Sequence, residues 1–311
     1  MRVTSQALPA SLTSNLQRLA QTQYQLQNEV ATGKKTQALE EDPRSIRRLM
    51  TLQADAKSLE QFRRNADKAL NTARENGTIV RSFKTIANRA SEIAIKANPI
   101  TGVAAYKNYA IEINSLLEEA LSQANRQTSN GYSFSGTRSD QEPYVPTRDQ
   151  DNRITSVAYQ GNTSVTLSNI GPGSSISATT IGSNDTNSGP PGLLTDQRSG
   201  ANFFAHLIAL RDNLEAGDIR SIQETDIKAL EADEDNFLFH LSALGSLQSR
   251  IETTQARLSD RSLAVATETS YITDADLAET IVSLNQAQTA YQAAIQSGAK
   301  ILSISLMDYI R

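Results

Sequence analysis

The sequence predicts a mainly α protein. It is a long antiparallel, coiled-coil-like helical bundle with paired N- and C-terminal helices and a small inserted β domain. Three observations predict it. Near the C-terminus, Leu277, Ile281, Leu284, Gln288, Tyr291, Ile295, Gly298 and Leu302 mark one seam in alternating steps of four and three, the spacing of a helix wound against a partner. Two interior stretches hold strict intervals of seven. Between them, from Gly131 to Gly200, lie nine of the 15 glycines and five of the eight prolines.

The first helix is expected over residues 11–32, where Leu12, Leu16, Leu19, Gln23, Leu26 and Val30 repeat the four-and-three pattern. Pro9 stands before it and Gly33 closes it. A polar connector follows. Asp42 then caps a helix with Pro43 at its first position. Leu52, Leu59, Ala66, Ala73, Val80, Ala87 and Ala94 carry it in sevens to Asn98-Pro99, and a 3.5 period held that long implies a left-handed supercoil. Another helix is expected over 103–127, with Tyr109, Ile113, Leu116, Leu117, Ala120 and Leu121 as its stripe.

The β insert is expected over 136–200, with strands in 153–161, 163–170 and 174–182 and a mobile loop at 183–192. Helical periodicity returns at Asn202. Residues 219–268 read as one helix, with Leu230, Phe237, Leu244, Ile251, Leu258 and Val265 in sevens, the natural partner of the 43–98 helix. The last helix would start at Thr273-Asp274 and run about 55 Å. The implied divisions are 1–40, a terminal arm; 41–135, the first part of the bundle; 136–200, the insert; 201–269, the return helix; and 270–311, the second arm.

Composition narrows the function. With 34 acidic and 30 basic residues the net charge is −4, against a nucleic-acid scaffold. Aromatics are 5% and tryptophan is absent, which argues for thin helical seams rather than a thick globular core. No cysteine is present, so disulfides and thiolate chemistry are excluded. No apolar run reaches membrane-spanning length, and the N-terminus lacks the apolar stretch of a secretory signal.

Possible chemistry resolves into structure. Asp274 and Asp276 read as helix capping. Asp149, Asp151 and Asn152 lack the glycine and glutamate of a calcium loop and read as a hairpin turn. Asp233, Glu234 and Asp235 read as a solvated helix face. His206 and His240, the two histidines, are too few for a metal centre. Arg44, Arg47, Arg48, Arg63 and Arg64 are accompanied by acids and read as helix surface. No cofactor, metal or catalytic set is expected.

Four stretches stand out: Leu26-Gln-Asn-Glu-Val-Ala-Thr-Gly-Lys34 with Glu41-Asp42-Pro43; Asn65-Ala-Asp-Lys-Ala-Leu70 with Arg89-Ala-Ser-Glu-Ile-Ala94; Gly131-Tyr-Ser-Phe-Ser-Gly136; and Asp274-Ala-Asp276 through Ser305-Leu-Met-Asp-Tyr309. Together they resemble the flagellin-like axial proteins of bacteria, and among them the hook-associated protein 3 family of hook–filament junction proteins. Glu41 stands where that family usually has a second aspartate, and Ser133 where it has leucine. Residues 137–200 carry almost none of the resemblance.

The resemblance implies a non-enzymatic structural subunit, exported unfolded through the flagellar type III apparatus without a cleaved signal and located in the extracellular appendage. Implied partners are further copies in a helical ring, another hook-associated protein on the hook side, flagellin on the filament side and an export chaperone. No nucleic-acid or membrane partner is implied. The alternatives are a flagellin forming the filament itself, or a secreted coiled-coil adaptor. The expected assembly contacts are Leu12, Leu16, Leu19, Leu26 and Val30, with Leu277, Ile281, Leu284, Tyr291, Ile295, Leu302 and Leu306.

Overall fold

The structure is a computed structural model describing residues 7–35, 42–98, 102–128 and 131–309. Residues 36–41 of the connector expected over 34–42 and the Pro99 helix stop lie outside the described residues, as do the side chains of 7–10, 103 and 301–309. The chain divides into two compact units, Met1–Leu59 with Asp260–Arg311, and Glu60–Ser259.

The first unit contains helix α1 (Ala7–Thr32), the start of α2 (Pro43–Lys96), the end of α6 (Ile227–Thr273) and α7 (Leu277–Tyr309). α1 starts four residues before its expected position, because Pro9 falls within its first turn, where a missing N–H costs nothing. Gly33 closes it at φ +69° and donates its N–H to Glu29 O at 2.8 Å, a left-handed C-terminal cap. Asp42 caps α2 as expected: Oδ1 accepts from Arg44 N at 2.9 Å and Oδ2 from the Ser45 hydroxyl at 2.8 Å. Leu52 and Val265 are buried in this unit. Arg48 Nε donates to Glu268 at 2.7 Å and Arg261 lies 3.8 Å from Asp55, so α2 and α6 run antiparallel.

Within the second unit α2 and α6 also pair. Ala66, Ala73, Val80, Ala87 and Ala94 of α2 and Leu230, Phe237, Leu244, Ile251 and Leu258 of α6 are all buried. Arg74–Glu252 and Gln255–Asp67 link the two helices along their edges. α3 (Val103–Ala124) packs on α4 (Phe203–Ala216) through Ile113, Leu117, Leu207 and Leu210. Buried Arg211 donates to Ile154 O at 2.7 Å and Asn114 Oδ1 at 3.2 Å, tying α4 to α3 and a strand.

The core of this unit departs from the expectation of thin seams. Phe83 stacks on Phe237 at 5.9 Å, Phe203 meets Phe237 edge-on at 5.0 Å, and Phe134 and Phe203 flank Phe83. Aromatics are few but concentrated at one place, where each pair adds stabilisation beyond its buried area.

The β-rich segment is four small sheets. β1 (Gln127–Thr128) pairs with β2 (Gly131–Tyr132), β3 (Tyr144–Arg148) with β4 (Ile154–Tyr159) and β5 (Ser168–Gly171) with β6 (Ser174–Ile176), all antiparallel. β7 (Ile181–Asn184) runs parallel to β8 (Gly192–Asp196), which pairs with β9 (Ala201–Asn202). Strand structure therefore begins before 136 and reaches past 200. It also includes β3, where Pro146 hid the strand signal, while 163–167 forms none. Residues 185–191 form the expected loop, but Asn184 ties it down: Nδ2 donates to Ser188 O at 2.9 Å and Pro190 O at 2.6 Å, and Oδ1 accepts from Thr186 N at 2.9 Å. In the 131–136 stretch, Gly131 (φ +94°) and Gly136 (φ +70°) allow a tight path that delivers Phe134 to the core; a Cβ at Gly136 would lie 2.3 Å from Asn162 O.

The return helix begins with α5 (Ile219–Ser221), passes through a π turn (Ile222–Asp226) and continues as α6 to Thr273, five residues past its expected end. Ile222 and Leu230, eight residues apart, are both fully buried. The π turn absorbs the residue in excess of a heptad.

Candidate assembly surface

α1 and α7 pack as an antiparallel hairpin pinned near both ends. At one end Lys35 N donates to Thr273 O at 2.8 Å and Ala275 N to Gly33 O at 2.9 Å. At the other, Gly298 lies against Leu12. The expected helix start at Thr273-Asp274 is corrected. Thr273 ends α6, and Asp274 accepts hydrogen bonds from the Ser270 and Thr273 hydroxyls, which hold its carboxyl below the usual range. Asp276 is the cap of α7: its Oδ1 accepts from Ala278 N at 2.9 Å and Glu279 N at 3.2 Å.

Between the pins, Leu12, Leu16, Leu19, Gln23, Leu26 and Val30 are half-buried, as expected of one seam. On α7 the inward positions are Thr280, Leu284, Ala287, Tyr291, Ala294 and Gly298, all buried or half-buried. The structure therefore splits the predicted C-terminal seam. Leu284 and Tyr291 join the hairpin interface. Leu277, Ile281 and Ile295 do not: they remain 47%, 46% and 46% exposed. Leu302 and Leu306 lie on α7, but their side chains fall outside the described residues.

Sequence reasoning missed Thr280, Ala287 and Ala294. The available signal was a second series of sevens built from small residues, which allow close helix approach but carry little hydrophobic weight. The outcome is a helix with two apolar sides, one filled by α1 and one open.

The candidates for chemistry take structural roles. Asp233, expected on a solvated face, is fully buried: it accepts from Asn202 N at 2.9 Å and lies 2.8 Å from His206 Nδ1. Burial pushes its carboxyl up to about 6. His240 is buried with Nε2 3.0 Å from Gly192 O, and burial lowers its pKa. Asp149 forms the expected hairpin turn, accepting from Asp151 N at 3.0 Å and Arg153 N at 2.8 Å, with Asn152 at φ 61°. Among the described residues, no group of three or more His, Cys, Asp or Glu side chains could hold a metal ion. Among them, too, no helix is long and apolar enough to cross a membrane.

Residues 236–310 match the bacterial flagellin C-terminal helical region. The match takes in most of α6 and all of α7. The fold is also similar, over about three quarters of the chain at most, to that of solved flagellar proteins. One, from Vibrio parahaemolyticus and described as a flagellar hook-associated protein, aligns at TM-score 0.63 and 17% identity over 75% of this chain and 99% of its own. Flagellar hook-associated protein 3 from Legionella pneumophila aligns at 0.57 and 16% over 72% and 98%. Bacillus cereus FlgL aligns at 0.53 and 16% over 70% and 97%. No curated protein matches the chain. The fold is that of the flagellar hook-associated proteins.

Proposed function

We propose that this chain is a structural, non-catalytic subunit of the bacterial flagellum that joins hook to filament. Residues 1–40 and 270–311 supply its assembly arms, 41–135 and 201–269 its bundle and 136–200 its insert. The observation that carries the reading is the open apolar side of α7. Leu277, Ile281 and Ile295 stay exposed on a helix whose other side is already filled by α1. Burying each is worth roughly 1.5–3 kcal/mol, and neighbouring copies would supply the cover. The contact set is Leu12, Leu16, Leu19, Leu26 and Val30 with Leu284 and Tyr291 inside the hairpin, and Leu277, Ile281 and Ile295 toward neighbours, with Leu302 and Leu306 as further proposed contacts whose side chains fall outside the described residues. The adjoining axial partners are another hook-associated protein and flagellin, reached after type III export with a chaperone.

The similarity to hook-associated proteins favours the junction over the filament. Deleting the gene tests this. A junction subunit's loss leaves hooks that shed flagellin monomers. Growth of long filaments from the purified protein alone would favour a flagellin instead.

A further inference from the structure

β4 is an edge strand whose outer side is open. Gln160 N donates to Pro143 O at 2.8 Å, so the pairs that exchange ladder bonds in the β3–β4 hairpin are Val145 with Ala158 and Thr147 with Ser156. Val157 and Tyr159 stand at the alternate positions, and their N–H and C=O groups point away from β3. Tyr144 and Pro146 are the matching outward positions of β3, and there the edge is closed. The Tyr144 backbone exchanges two hydrogen bonds with the Asn125 side chain, at 2.7 and 3.0 Å, and Pro146 has no N–H to offer. On the β4 side Ile154 O accepts from Arg211 at 2.7 Å, but the backbone groups of Val157 and Tyr159 make no hydrogen bond to a described residue. β4 reads Ile-Thr-Ser-Val-Ala-Tyr, without the proline, lysine or other charge that blunts an exposed edge.

That open side borders a cavity of about 470 Å³ between β4 and α4. Thr155, Ser156 and Val157 all line it. Successive strand residues point to opposite faces, so a cavity touching all three runs along the strand's edge. Across from them, Ala205, Ile208, Ala209 and Asp212 of α4, at helical spacing, give a wall of mostly small side chains. Tyr144 also belongs to the lining; its ring lies 5.2 Å from Phe204, and its buried hydroxyl has no hydrogen-bond partner. A carboxylate stands toward each end. Asp185 accepts from the Ser183 hydroxyl at 3.3 Å, beside Gly182, where a Cβ would lie 2.9 Å from the Tyr159 ring. Asp212 is at the Ile154 end: Arg211 donates both to Ile154 O and to Asp212 Oδ1. Asp212 Oδ2 makes no hydrogen bond to a described residue.

We propose that this groove is a strand-addition site for an extended segment of a different protein, one that carries two basic residues four apart with an apolar residue midway between them. The added strand pairs with the free backbone groups of Val157 and Tyr159, which supply affinity without regard to sequence. Its alternate side chains face α4 and supply the selectivity. The middle one lies over Ile208. The flanking two, about 14 Å apart at 3.4 Å per residue, reach Asp185 and Asp212. Negative charge at both ends selects a basic segment over an acidic one. The unmet Tyr144 hydroxyl favours an occupant with polar groups over a purely apolar one. The groove lies wholly within the 60–259 unit and shares no residue with the terminal arms, so the proposal stands apart from the junction role.

The test selects a phage-displayed library of random nonapeptides on the full-length protein. The expected consensus is Lys or Arg, any residue, an apolar residue, any residue, then Lys or Arg. A selected peptide, made with a fluorescein label, should bind Val157→Pro about tenfold more weakly than the parent. That substitution removes only the free edge donor, since the Val157 N–H takes no part in the β3 ladder. Asp185→Lys, at an exposed position, should weaken the same peptide about tenfold. Glutamate in place of the peptide's facing basic residue should restore that binding. Circular dichroism melts check both variants; if Val157→Pro melts early, Asp185→Lys with its charge-reversed peptide carries the test. Recovery of no peptide, a consensus without the paired basic residues, or binding indifferent to these substitutions would each overturn the site. Self-association of the full-length protein that Val157→Pro abolishes would assign the groove to a second copy and overturn it as well.

Discussion

Gly298 of α7 sits so close to Leu12 of α1 that a methyl group at Gly298 would lie 2.6 Å from Leu12 Cδ2. Two opposing effects decide what a substitution does here. Alanine in place of glycine inside a helix gains about 0.5–1 kcal/mol. Turning the end of Leu12 aside costs about 0.5–1.5 kcal/mol. Gly298→Ala should therefore leave arm helicity within about 1 kcal/mol of the parent, read by circular dichroism on melting. Gly298→Leu has no such escape and should part the hairpin at that level, with loss of incorporation into appendages.

The two sides of α7 should respond differently to the same charge. Ile281→Asp lies on the open side, so the monomer's melting should change by less than about 0.5 kcal/mol while incorporation into appendages is lost. Leu284→Asp lies in the hairpin interface and should loosen the arms of the monomer itself, seen as faster amide exchange over 12–30 and 277–300. Equal loss of monomer stability from both variants would remove the case for an open side.

Asp233 makes stability depend on pH. Its folded carboxyl titrates near 6, above the ordinary 3.8, because burial penalises the charged form. Between about pH 4 and 6 the folded state holds a proton that the unfolded state has released. Stability therefore falls as pH rises through that window and levels off above it, by on the order of 2–3 kcal/mol. His240 contributes the opposite slope, since burial lowers its pKa and stability is lost as pH falls below its ordinary value of 6.5. Urea titrations across pH 4–7 should show the falling limb shrink in Asp233→Asn, with buried Asp226 leaving a remainder of the same sign, and the opposing slope shrink in His240→Gln.

Phe83 is the hub of the aromatic core, in ring contact with Phe134, Phe203 and Phe237. Phe83→Ala should destabilise the 60–259 unit by about 3–5 kcal/mol. A denaturant melt followed by tyrosine fluorescence checks it, since Tyr144 and Tyr159 belong to the same unit.

The helices were legible because each seam residue reports on one local geometry. Leu52 through Ala94 and Leu230 through Val265 needed only a count of sevens. What escaped depends on residues far apart in the chain. Asp233 looks like one of three surface acids until His206 and Asn202 arrive from another helix turn and strand. The aromatic core was invisible to composition, because a low count says nothing about where Phe83, Phe134, Phe203 and Phe237 gather. The seam of the last helix was half legible. Leu277, Ile281 and Ile295 share a periodicity with Leu284 and Tyr291, and only the fold shows which of them α1 covers.

The π turn at Ile222–Asp226 makes the return helix unequal in its tolerance of length changes. It stores one surplus residue between Ile222 and Leu230. Losing a residue there would convert the bulge to an ordinary α turn and leave every downstream seam position facing as before. Losing one residue anywhere between Leu230 and Val265 would swing the remaining seam by about 100° and turn it toward water. A one-residue deletion is therefore absorbed at the bulge but not in the helix beyond it.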